Sequence, residues 1–238
     1  MEPTNQQRRD GEAPPAGGLG PENVRAAAAH LKWVVGGVTL CAVGVLQVWG
    51  SEGHLWRIAP SAALAGWLMI LVGVARLARI RVDDPWRDRY GSAMRVVKWV
   101  AILGVARAAS DQLPFERPGT VKLFLAILGL AQLAAAVLLG ICMRRLCLRA
   151  GVGRGARAWS VFLAIFMGFY AIPVAFYNYS AYATQLGGQT YRYDPVLLSV
   201  AGASATAVIA GALAWAVWRT ARGARDTPSP HACDPADG

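Results

Sequence analysis

Arg107 and Asp111 stand four residues apart, so on a helix they share a face and their charges can pair. Both fall in residues 94–113, a stretch apolar enough, apart from Arg95 and Lys98, to enter a bilayer. An arginine there can snorkel to the nearer membrane surface with Asp111 as its partner, which is the simpler reading. The sharper one is an interior contact for an anion or a lipid headgroup, facing neighbouring helices. A second group is Tyr170, Pro173 and Asn178, with Ser204 in the next apolar segment. Pro173 lacks an N–H and its ring displaces the bond to the carbonyl of Phe169, so the spacing predicts a bend. A bent wall of tyrosine and asparagine suits a solute-lined cavity, whereas an aromatic belt at the membrane–water boundary is the plainer account.

The rest of the chemistry is sparse. There is no P-loop, HExxH run or GxSxG elbow. His30, His54 and His231 all lie outside the apolar runs, and so do the carboxylates apart from Asp111. Ion coupling through the membrane usually uses such groups inside it, so an ion-coupled carrier is disfavoured. No catalytic residue, cofactor or metal ligand is assigned. Asp83, Asp84 and Asp88 are the acidic group nearest to what a lipid-modifying enzyme would need, and the reading leans away from an enzyme. Glu52, His54, Asp111 and Glu116 would have to converge to hold a metal. Gln47 and Gln132 are read as amides bonding between helices, and Gly202, Ser204 and Gly211 as a small-residue face for close helix packing or for assembly with a second chain. Cys41, Cys142, Cys147 and Cys233 form neither a disulfide framework nor zinc-ligand spacing.

These residues need elements to position them. The 238 residues are 55% hydrophobic and 16% charged, well under the about 25% charge of a soluble domain. The deficit is gathered into long uncharged runs, which predicts an all-α membrane bundle of six transmembrane helices arranged as three helical hairpins. The spans are placed at residues 32–51, 58–76, 94–113, 121–143, 159–179 and 195–218, inside a domain covering 23–222. Residues 1–22 and 223–238 are expected to be disordered tails. The third span is the least apolar and could instead lie on the surface as an amphipathic helix.

Charge decides that point. With six spans, 19 of the 24 lysines and arginines fall on one side of the membrane and five on the other. Omitting the third span would move Arg144, Arg145, Arg149, Arg154 and Arg157 across, against the positive-inside bias. Both termini are therefore expected in the cytoplasm, and the alanine- and arginine-rich composition fits a bacterial cytoplasmic membrane. The net charge of +10 is then an orientation signal and an attraction to membrane lipids, not a nucleic-acid interface. The functional expectation is a non-enzymatic structural, assembly or accessory protein. A small-solute or lipid transporter using spans five and six is the alternative, and an enzyme acting on lipid at the cytoplasmic face is a further one.

Overall fold

The computed structural model describes residues 20–47, 58–80, 82, 84–110, 112, 119–173 and 195–227. Among them the chain is helical throughout, without a strand. The helices are α1 (Pro21–Gln47), α2 (Ile58–Leu77), α3 (Asp84–Ser110), α4 (Gly119–Arg149), α5 (Gly153–Phe166) and α6 (Pro195–Asp226). Prolines open α1 and α6, where a missing N–H costs no helical bond. The α4–α5 turn closes around Gly151 at φ +70°, a backbone state open to glycine. Val152 N donates to Cys147 O at 2.8 Å and Gly151 N to Leu148 O at 3.3 Å. This pair of reversed bonds satisfies the last carbonyls of α4, and the buried Val152 and Cys147 supply the accompanying apolar contact.

Each helix packs on its sequence neighbours, and α6 returns to pack on α1, so the bundle is a closed ring of six. One end is fixed by tight contacts. Arg25 Nε donates to Ala224 O at 2.9 Å, joining the start of α1 to the end of α6. Tyr90 donates to Leu77 O at 3.0 Å, joining α3 to α2, and Trp159 Nε1 donates to Thr220 Oγ1 at 3.0 Å, joining α5 to α6. Around this end arginines lie over indole rings: Arg76 on Trp33, Arg149 on Trp86, Arg219 on Trp215 and Trp218, and Arg222 on Trp218. The core concentrates here, with Leu31, Leu77, Met94, Met143, Leu146, Val152 and Trp159 all fully buried.

Helix α3 begins at Asp84, ahead of the third expected span at 94, and Trp86 and Tyr90 are buried with their rings 5.2 Å apart. One expectation is corrected at this end. The final tail does not begin at 223, because α6 continues to Asp226 and Ala224 is wholly buried under Arg25.

The outer surface of the ring is apolar. Trp99, Leu103, Phe124, Ile127, Leu130, Phe169, Ile172 and Val208 all project outward, with Phe169 69% and Trp99 65% exposed. Among the described residues one helix, Ile127–Arg149, is by itself long and apolar enough to cross a membrane, while Ser61–Leu77 is apolar but shorter. The six expected spans thus correspond to six helices of which one meets that requirement alone. The reasons are visible in the others: α3 carries Arg95, Lys98 and Arg107, and the uncharged runs begun in α1 and α5 continue beyond the described residues.

Candidate functional site

A ring of six helices with small residues on its inner faces cannot fill its own centre. Between the sealed basic end and the far end lies a cavity of about 760 Å³, to which every helix contributes a wall. That volume is within the range of small-ligand sites, about 300–1,000 Å³. Its lower part is lined by Val74, Val97, Leu139, Trp159, Phe162 and Leu213, all apolar apart from the indole N–H committed to Thr220.

The polar groups collect higher up. Arg107 from α3, Gln132 from α4, Tyr170 from the end of α5 and Thr206 from α6 reach the same cavity, each from a different helix. Their positions lie about seven to eleven residues along each helix from the apolar floor, which is roughly 10–16 Å at helical rise. Gln132 Nε2 is buried and meets no hydrogen-bond partner among the described residues. A buried amide donor left unmade costs on the order of 1–3 kcal/mol, so this atom favours an acceptor that the described residues do not supply. Arg107 meets no carboxylate among the described residues.

One face of α5 forms an aromatic ladder from floor to crown. Trp159 meets Phe162 edge-on at 5.5 Å, Phe162 stacks on Phe166 at 5.8 Å, and Phe166 lies 5.7 Å from Tyr170. The ladder passes into a π-helical turn, Met167–Ala171, where Ile172 N bonds back to Met167 O. This wider turn ends two residues before Pro173, whose ring has no N–H to offer. Pro173 itself is exposed, outside the cavity.

The expected site residues therefore separate. Arg107 and Tyr170 line the cavity together. Ser204 and Gly211 are exposed, and a Cβ at Gly211 would meet nothing within 4 Å, so among the described residues no helix packs on Gly211 as the small-residue pattern leads one to expect. Gly202 lies in α6, without a described side-chain environment, and Asp111 and Asn178 lie outside the described residues. Gln132, expected to bond between helices, lines the cavity with an Nε2 that meets no partner among the described residues. The floor residues Trp159, Phe162 and Phe166 were not singled out, although their spacing of three and four puts them on one helical face.

Near the basic end, burial and then the positive charge of Arg76 hold the His30 imidazole below its ordinary value of 6.5. The unfolded chain consequently binds this proton first as pH falls. Stability should be insensitive to His30 above pH 6.5 and decline as pH drops from there through the folded-state value. Thermal unfolding of the wild type and of His30→Gln across pH 8 to 5 checks this, with the wild type losing ground only in the acidic half.

No family model matches the chain, and no curated protein or solved structure matches it either.

Proposed function

We propose that this chain is a six-span membrane protein whose helical ring encloses a ligand chamber, and that it binds or carries a small solute or lipid. The observation that carries the reading is the cavity itself: six walls, a closed apolar floor and a polar crown containing Arg107. A purely structural bundle has no use for an unfilled centre, and close-packed interiors leave few voids larger than a water molecule. The apolar exterior supports a bilayer as the surrounding solvent, since a surface with this many outward tryptophans, leucines and phenylalanines is costly in water. The arginine–tryptophan girdle at one end supports placing that end at a membrane interface, and its charge favours the cytoplasmic side.

On this reading residues 23–222 are the spanning unit, both chain ends lie in the cytoplasm, and membrane lipids surround the ring. The outward face of α6 with Ser204 and Gly211 is open to a second subunit, the role also expected of Gly202. A transport or carrier role is favoured over the accessory one because a cavity reached by Arg107 and Tyr170 offers a ligand a place to sit.

Accessibility labelling in sealed membrane vesicles tests the placement. Arg154→Cys at the basic end and Gln112→Cys at the opposite end both replace exposed side chains. A membrane-impermeant maleimide should modify one from inside and the other from outside. Modification of both from the same side would overturn the proposal.

A further inference from the structure

We infer that the chamber is built for a single-chain amphiphile with an anionic headgroup, its oxyanion held at Arg107 and its alkyl tail laid against the aromatic ladder toward Trp159; this rests on the chamber reading above. Three features of the cavity point there together.

The first is the segregation of its lining. Arg107, Gln132, Tyr170 and Thr206 occupy one level, and below them the wall is aliphatic and aromatic down to Leu139, Trp159 and Leu213. A compact polar solute would leave that lower part without a partner, and a pure hydrocarbon would leave a guanidinium and an amide desolvated for nothing. A molecule polar at one end only satisfies both. The second feature is charge. The guanidinium fork of Arg107 suits carboxylate and phosphate, and it meets no carboxylate among the described residues. The third is Gln132 Nε2, a buried donor with no partner among the described residues, on the wall that also carries Gly129 beside the Arg107 guanidinium. Two donors from adjacent helices, one charged and one neutral, are what an oxyanion with two or more acceptor oxygens requires. The volume of about 760 Å³ sets the scale to one chain.

Carboxylate and phosphate headgroups share this chemistry, and the probes separate them. Purified protein in a neutral maltoside detergent is titrated with laurate, lauryl phosphate, lauryl alcohol and acetate, and binding is read by calorimetry with native mass spectrometry for stoichiometry. One laurate or lauryl phosphate should bind per chain, whichever is tighter naming the headgroup. Lauryl alcohol and acetate should each be weaker by about tenfold or more, the loss of a charge-assisted contact or of the apolar contact. Arg107→Gln should reduce laurate affinity by a similar factor while Arg107→Lys retains most of it, so that the effect is charge and not misfolding. Ala136→Trp, placed in the wall to fill the chamber, should abolish binding with the melting temperature maintained.

Equal binding of laurate and lauryl alcohol, or an Arg107→Gln protein that binds laurate as the wild type does, would overturn the anion assignment while leaving a ligand chamber in place. Binding of acetate as tight as laurate would overturn the role of the apolar floor. Undiminished binding in Ala136→Trp would put the amphiphile outside the ring and overturn the inference. None of these outcomes depends on the vesicle labelling, which judges the membrane placement separately.

Discussion

Gly37→Ala should cost the folded bundle about 3 kcal/mol or more, while the same change one residue earlier, Gly36→Ala, should be nearly neutral. A Cβ at Gly37 would collide with the carbonyl oxygen of Gly66 and stand 2.7 Å from Ile70 Cγ1. A Cβ at Gly66 would in turn stand 2.6 Å from the carbonyl oxygen of Gly37. The two helices thus touch backbone to backbone, and neither can accept a methyl group without α1 and α2 moving apart. At Gly36 the obstructing atom is the terminal methyl of Met69, 2.6 Å away, which a flexible thioether side chain can withdraw. The helix-propensity gain of alanine over glycine, up to about 1 kcal/mol, then offsets the adjustment. Thermal unfolding of the three variants in detergent checks this. Gly37→Ala and Gly66→Ala should melt well below the wild type and Gly36→Ala close to it. Equal melting of Gly36→Ala and Gly37→Ala would remove the backbone contact as an explanation.

Trp159→Ala is the second large effect, with an expected loss of about 3–5 kcal/mol. The indole is wholly buried at the foot of the aromatic ladder and donates to Thr220, which itself donates to Ala216 O at 2.8 Å. Removing the ring deletes the edge-on contact with Phe162 and opens a void at the sealed end, where surrounding helices are already in contact and cannot collapse inward. Thr220→Val probes the polar part alone. It leaves the ring in place but strands its N–H, and should cost about 1–3 kcal/mol. Trp159→Phe should fall between Trp159→Ala and the wild type. A Trp159→Ala protein that melts like the wild type would mean that the floor is not packed as described.

The helices were readable in the amino-acid order because arginine and lysine punctuate the apolar runs. Arg76, Arg149 and Arg225 stand in the last turns of α2, α4 and α6, which the structure brings to one end of the ring, and the order of six antiparallel elements follows. What the inside contains was harder to read. A helix surrounded by water shows its buried face as an apolar stripe, but α2 and α4 are apolar all round, so their sequences do not distinguish inward from outward positions. Gly36 and Gly37 look alike in the sequence although only one touches another backbone. Gln132 looked like a packing amide because nothing along the chain reports that its neighbours across the ring are too small to reach it. Arg107 was identified from its position alone, and its direction required the other five helices. The return of α6 to α1, which makes a chamber instead of a row of hairpins, depends on contacts such as Arg25 with Ala224 and leaves no periodic trace.

That same clasp has a genetic consequence. Because the first and last helices are next-door neighbours at the arginine-bearing end, the circle has no privileged starting point. A gene in which they are spliced by a short linker and the reading frame is reopened at the α4–α5 turn around Gly151 would encode the six segments in a rotated order. The new ends would emerge on the same side as the old ones, so the direction of every helix in the ring would survive the rearrangement.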